Sequence, residues 1–421
     1  MTELADATSR SHPSGLDGWL RQRLLAQLAT LAHGELHLVD AWGERRLGAP
    51  AADGLAVRVQ VDDPAFYRAV AAQGSVGAGE AYIEGHWRCD DLVALVRLLL
   101  RNRDLLDGME NGLARLGGLA LRGWAALRRN TRAGARRNIA AHYDLGNDFF
   151  GLFLSPDLMY SSALFEQPDD TLEIASTRKL DRICRRLDLR PGMRVVEIGS
   201  GWGGFAVHAA THYGCHVTTT TISREQHALA RARIDAAGVG DLVDLRLDDY
   251  RDLDGRYDRL VSIEMIEAIG ARYLDTYFAK LCTLLEPDGL ALLQAITIED
   301  HRYAQARDSV DYIKRFVFPG SFIPSLAAML DAKTRTGDLQ LIGQDDFGLS
   351  YARTLQLWRE RFLARLPDVH AQGFDEAFVR MWTFYLAYCE GGFRERSIGV
   401  SHLLMARPGY RPASGSAVPA A

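Results

Sequence analysis

The chain has 421 residues, long enough for two or three domains. Its 48% apolar and 24% charged content is that of an ordinary soluble globular protein, and a net charge of −5 argues against general nucleic-acid binding. The five cysteines are scattered, without a C-x-x-C pair, so a disulfide framework is not expected; no apolar run reaches the length of a membrane span and no signal-peptide core precedes residue 15.

In chain order, residues 15–105 read as a small α+β unit. "GELHLVDAWGERRLG" alternates around a turn, as a hairpin does, and "LAVRVQVDD" is a third strand. "DPAFYRAVAAQG" and "DDLVALVRLLLRNRD" have helical spacing behind acidic starts. Residues 106–138 read as a basic helical linker, with Arg122, Arg128, Arg129, Arg132, Arg136 and Arg137 among Leu121, Trp124 and Leu127. Such a stretch is either a solvated connecting helix or an interfacial helix that meets anionic headgroups.

From about residue 192 strands and helices alternate. "MRVVEIG" is a buried strand, "GGFAVHAATHYG" a helix, and "HVTTTTI" a second strand. "SREQHALARARIDAAG" is a helix with Ser223 as N-cap. "VDLRLDD", "YDRLVSIEM" and "GLALLQAITI" are further strands. This alternation predicts a Rossmann-like, doubly wound parallel sheet. After residue 300 the aromatic-rich helices read as insertions near the sheet's C-terminal edge, and 409–421 as a frayed tail.

The turn "VVEIGSGWGGF" contains Gly199-x-Gly201-x-x-Gly204, the spacing of a dinucleotide site. Two features oppose that reading. Glu197 sits two residues before the first glycine, where a pyrophosphate has to approach. The second strand ends in Thr219, Thr220 and Thr221, without the acidic residue that holds a ribose. A carboxylate there suits a cationic ligand, and E-x-G-x-G-x-G (Glu197, Gly199, Gly201, Gly203) is the form of a first S-adenosylmethionine motif. Asp249, after the third strand, is placed to accept from the adenine amino group. No Cys/His/Asp cluster has metal-ligand spacing.

Five segments in order, "HYDLGNDFF…LSPDLMYSSALF", "VVEIGSGWGGF", "SIEMIEAIG", "FVFPGSFIPS" and "FYLAYCEGGFR", resemble the cyclopropane-fatty-acyl-phospholipid synthase family, close to the mycolic acid cyclopropane synthases. The resemblance covers roughly residues 138–408 and extends weakly into the N-terminal unit. It implies a class I S-adenosylmethionine-dependent methyltransferase with a mostly parallel seven-stranded sheet over 139–408, behind an N-terminal lipid-binding or dimerisation domain. It also implies a cytoplasmic protein, a homodimer, held peripherally at the inner face of the membrane. The family transfers the methyl of S-adenosylmethionine to the double bond of an unsaturated phospholipid acyl chain. The carbocation so formed loses a proton to bound bicarbonate, and the ring closes. Such a site needs aromatic walls, which exclude water and stabilise positive charge.

By the same resemblance, Tyr143, Tyr160 and Ser161 cover the cofactor. Glu197, Gly199, Gly201 and Gly203 form its first motif, Thr221 and Gln226 meet the ribose and methionine, and Asp249 and Tyr250 meet the adenine. Glu267, Tyr351 and Cys389 belong to the bicarbonate cage. Taken alone, Glu267 also reads as a helix cap, Cys389 as a small core residue and Tyr351 as an ordinary half-buried tyrosine. Two cage positions depart from the best-known bacterial form: Ser162 replaces a cysteine and Gln294 a histidine. Gln294 keeps a hydrogen-bonding side chain but cannot titrate near neutral pH. Loss of a proton elsewhere on the chain gives a methylated alkene or a methylene branch instead of a ring. A methyltransferase for a small soluble metabolite and a lipid-binding protein without catalysis are the readings from other classes.

Overall fold

The computed structural model describes residues 15–109, 121, 130–131, 134–135 and 145–412; Tyr143 and the arginines of the basic stretch lie outside them. The chain divides into two compact units, Met1–Gly123 with Phe374–Glu395, and Trp124–Gly373 with Arg396–Ala421. The helix Glu376–Arg394, read from sequence as part of 139–408, thus belongs with the N-terminal residues, where it packs on the helices Ala65–Ile83 and Leu92–Arg101.

The N-terminal unit holds a four-stranded sheet in the order β2-β1-β3-β4, with β1 Gly34–Asp40, β2 Gly43–Ala49, β3 Ala56–Val61 and β4 Trp87–Cys89. β1 and β2 form the expected hairpin, and β3 runs parallel to β1. Apolar residues at alternate positions of β1 and β3 turn inward because side chains alternate across a strand. Asp91 caps the helix Leu92–Arg101 by accepting from the Ala94 N–H at 2.9 Å. At the end of β1 the buried Asp40 carboxylate accepts from Arg21 Nε and Nη2 at 2.5 and 3.1 Å, and from the Tyr67 hydroxyl.

The larger unit is built on a seven-stranded sheet in the order β10-β11-β9-β8-β5-β6-β7. Its strands are β5 Arg194–Ile198, β6 His216–Thr220, β7 Val243–Arg246, β8 Tyr257–Ile263, β9 Leu285–Ile298, β10 Gln340–Asp346 and β11 Ile398–Ala406. β11 pairs antiparallel with both β10 and β9, and the remaining pairings in this sheet are parallel. Alternate residues feed two cores. Val196, Leu260, Ala291 and Leu403 face the helices Leu274–Leu284 and Leu326–Thr336. Val195, Val261, Leu292 and Leu404 face the helices Leu172–Arg186 and Gly204–Tyr213.

β6 lies on one side of β5 and β8 on the other. The strand order therefore reverses at β5, and a crevice opens above the carboxyl ends of β5 and β8, where ligands bind in such sheets. The strands of this sheet were legible up to β9; β10 and β11 complete it inside the region read as inserted helices.

Truncation of Asp40 leaves the Arg21 guanidinium buried without its anion. D40A is therefore expected to lower the unfolding free energy of the N-terminal unit by about 3–5 kcal/mol in chemical denaturation.

Candidate active site

β5 ends in Glu197 and Ile198, and the chain then turns through three glycines in the left-handed region, Gly199 (φ 95°), Gly201 (φ 49°) and Gly203 (φ 84°). The turn is closed by the N–H groups of Gly199 and Ser200, which donate to the Thr220 carbonyl at 3.2 and 2.8 Å. A Cβ on Gly199 would stand 3.0 Å from Met265 Cγ, whereas one on Gly201 would meet nothing within 4 Å. The turn is therefore closed on one side and open on the other. Glycine alone permits this backbone at low cost.

Glu197 is buried, and its carboxylate accepts from the Thr219 hydroxyl at 2.6 Å. Burial pushes its pKa up to about 8, against the pull of that hydrogen bond and of Lys179. Thr221 and Gln226 are joined by a 2.8 Å hydrogen bond beyond the end of β6. Asp249 follows β7 as expected, but the Arg251 guanidinium holds both its oxygens, at 2.8 and 2.6 Å, and lies over the Tyr250 ring.

A second cluster sits at the ends of β8 and β9. Glu264 follows β8 directly and has φ 49°, a conformation that costs a side-chain-bearing residue roughly 1–3 kcal/mol. Its carboxylate is fully engaged. Oε1 accepts from the Ser162 backbone N–H at 2.8 Å and from Gln294 Nε2 at 2.7 Å, and Oε2 accepts from the Tyr351 hydroxyl at 2.7 Å. The serine side chain turns away to the Ala163 carbonyl, so its replacement of cysteine leaves the backbone donor in place.

Behind Gln294 stands the buried His402, brought opposite by the β9–β11 register. His402 Nε2 lies 2.9 Å from Gln294 Oε1. Burial holds the imidazole neutral, with its pKa well below the usual range. Its single proton therefore sits on Nε2 and fixes Gln294 with the amide nitrogen toward Glu264.

Glu267 lies on the short helix Ile266–Ile269. Its Oε1 accepts from the Ile296 N–H at 2.6 Å, and its Oε2 is buried without a partner. It is not a cap of the following helix. Burial and then the nearby Glu264 raise its pKa to about 8. Burial also raises that of Glu264, opposed by its hydrogen-bond donors and by Lys179.

Lys179, on the helix Leu172–Arg186, is fully buried and donates to Ser161 Oγ at 2.7 Å. Burial lowers its pKa to about 8, against attraction by Glu264, Asp157 and Glu197. Glu264, Lys179 and His402 were all missed in the sequence.

An aromatic wall adjoins this cluster. The Tyr160 ring centroid lies 5.2 Å from Phe150, 5.3 Å from Trp358 and 6.4 Å from Phe318. Trp358 in turn lies 6.2 Å from Tyr351. Cys389 lies on the helix Glu376–Arg394, in the other unit.

Residues 130–403 match the family described as mycolic acid cyclopropane synthetase. The chain belongs to this family. Over 399 residues, 93% of this chain and 91% of the relative, it is 39% identical to the tuberculostearic acid methyltransferase UfaA1 of Mycobacterium tuberculosis. It is 38% identical to the cyclopropane-fatty-acyl-phospholipid synthase of Escherichia coli K12, over 83% of this chain and 87% of that one. Among solved structures, the cyclopropane synthase MmaA2 from M. tuberculosis superposes with a TM-score of 0.60 at 31% identity, covering 64% of this chain and 98% of that one. This member of the cyclopropane synthetase family is thus a S-adenosylmethionine-dependent methyltransferase with the class I fold.

The cofactor fits the residues present. The turn is open at Gly201, and the buried carboxylate of Glu197 beside it suits a sulfonium and an ammonium rather than a pyrophosphate. Bicarbonate does not fit. The donors expected to hold it, Ser162, Gln294 and Tyr351, are bound to Glu264, and a further anion would meet the charge of that carboxylate.

The raised carboxyl pKa values make stability pH-dependent. A carboxyl whose folded pKa lies above its unfolded value of about 4.3 stabilises the fold at low pH and loses that contribution as pH rises toward the folded value. His208 and His402, depressed below 6.5, act in the opposite sense below that pH. Between pH 6.5 and 8 the unliganded protein is therefore expected to lose thermal stability. E267Q keeps the acceptor for Ile296 and should flatten that decline; an unchanged slope in E267Q contradicts the assignment.

Proposed function

We propose that the protein transfers a methylene group from S-adenosylmethionine to the carbon–carbon double bond of an unsaturated acyl chain carried on a membrane phospholipid. One observation carries this reading: a cage of Glu264, Glu267, Gln294 and Tyr351, walled by Tyr160 and Trp358, closes the sheet end beside the glycine turn. Methylation of an oxygen or nitrogen of a small metabolite needs one base. A buried set of carboxylates behind an aromatic wall suits a cationic carbon chain that must be kept from water.

When bound, S-adenosylmethionine supplies the electrophilic methyl. The residues of the chain do the rest. Glu197 and the turn at Gly199–Gly203 hold the positive end of the cofactor. Thr221 and Gln226 line its ribose and methionine side. Tyr160 and Trp358 shield the cation left on the acyl chain. A base in the cage then takes one proton.

The product carries one CH2 more than the substrate whether a ring closes or an exocyclic methylene forms, because both routes lose one proton. Ring closure is the leading reading, supported by the resemblance to the E. coli enzyme. The 39% identity to a tuberculostearic acid methyltransferase favours the branched product as the second reading. Among the described residues no helix is long and apolar enough to cross a membrane, so the acyl chain is read as reached from the membrane surface.

Purified protein, S-adenosylmethionine and vesicles of monounsaturated phospholipid are expected to yield acyl chains one CH2 heavier, with loss of the internal alkene signal; NMR then tells ring from branch. Y351F, which removes a hydroxyl donor to a carboxylate, is expected to slow this by about tenfold to a hundredfold with cofactor affinity unchanged. Methylation of a water-soluble acceptor without any change in the vesicle lipids would refute the reading.

A further inference from the structure

We infer that Glu264 is the general base of the reaction, a carboxylate built into the chain at the position that an exogenous bicarbonate would otherwise take. The inference rests on the reading of the reaction as methylene transfer to an alkene.

Four observations carry it. First, a carboxylate and a bicarbonate present the same planar O–C–O face, and the donor set expected for the second is closed around the first: Ser162 N–H, Gln294 Nε2 and the Tyr351 hydroxyl, at 2.8, 2.7 and 2.7 Å. Second, Glu264 occupies a backbone position with φ 49°, where glycine is the unstrained residue. The chain holds a charged side chain in that conformation, and its own N–H donates to the Gln294 carbonyl at 2.8 Å.

Third, Gln294 is prevented from reversing. His402 donates to its Oε1, so only the amide NH2 faces the cage. A glutamine so fixed offers a proton donor to an anion at any pH and never competes as a base. Fourth, the Glu264 carboxylate already places a negative charge here, enough to help raise the pKa of the neighbouring Glu267, so a second, mobile anion would meet like charge. The buried ammonium of Lys179, held by Ser161 Oγ at 2.7 Å, is the counter-charge to these carboxylates.

The step balances. The alkene π pair forms the new carbon–carbon bond to the methyl, the carbon–sulfur bond breaks with its pair on sulfur, and the acyl chain is left with a positive charge. One proton then passes from the methylated chain to Glu264. The C–H pair it leaves either closes the ring or, after a hydride shift on the chain, forms an exocyclic double bond. Glu264 returns its proton to solvent after product leaves, and no oxidant or reductant is consumed.

The experiment compares the full-length protein, E264G and E264Q in carbon dioxide-stripped buffer, with and without added bicarbonate. It reads S-adenosylhomocysteine release and the acyl product together. The wild type is expected to hold its rate within about twofold in both buffers. E264G relieves the strained backbone, frees the three donors, and is expected to fall about a hundredfold in stripped buffer and to recover at least about tenfold with bicarbonate or formate. E264Q fills the cage without a base and should be inactive in both. A saturable bicarbonate requirement of the wild type, or a wild-type rate in E264Q, overturns the assignment. Absence of any heavier acyl product from the wild type overturns instead the reaction on which it rests.

Discussion

The site is organised by the anchorage of one carboxylate. Glu264 ties together five parts of the chain that are remote in sequence: the end of β8, the segment at Ser162, β9 through Gln294, β11 through His402 behind it, and the helix Gly348–Ala364 through Tyr351. Each hydrogen bond to it is charge-assisted, and such bonds are about twice as strong as neutral ones. Together they offset a left-handed backbone and the desolvation of the charge. Were the carboxylate merely structural, an apolar side chain or a glycine would fill the position at lower cost.

The electrostatics follow from burial. Glu197, Glu264 and Glu267 are all shifted toward the protonated form, and Lys179 toward the neutral form, because each charge is removed from water. Carboxyls shifted toward the protonated form beside a buried ammonium suit proton transfer better than they suit stability. The aromatic rings of Tyr160, Phe318 and Trp358 complete this by offering π faces where a cation on a hydrocarbon has no other partner.

Much of the frame is legible in the sequence. β5 and its glycine turn stood out because an apolar run, a carboxylate and glycines with positive φ occupy fixed places in a doubly wound sheet. Family resemblance placed Ser162, Gln294, Tyr351, Glu267 and Cys389 in one cage; the first three share hydrogen bonds to Glu264, whereas Cys389 lies in the other unit. What it could not show is what they meet. Glu264 read as the tail of a strand, three residues from the more familiar Glu267, and a positive φ on a glutamate leaves no trace in a pattern. His402 and Gln294 are 108 residues apart and come together only through the β9–β11 register. Lys179 drew no reading, since a lone lysine in a charged segment carries no pattern that marks it as buried. β10 was hidden because an edge strand half open to solvent lacks the apolar run that marked the central strands. The helix Glu376–Arg394 could not be assigned to its unit from linear order, since it packs against residues almost three hundred positions earlier.

The most direct test is a high-resolution crystal structure of the protein with S-adenosylhomocysteine, grown in the presence of bicarbonate. The account predicts the Glu264 carboxylate seated on the Ser162 N–H, the Gln294 amide and the Tyr351 hydroxyl, with His402 against the far side of Gln294. A separate planar anion bound to those donors, with the Glu264 side chain swung out of the cage, would contradict it.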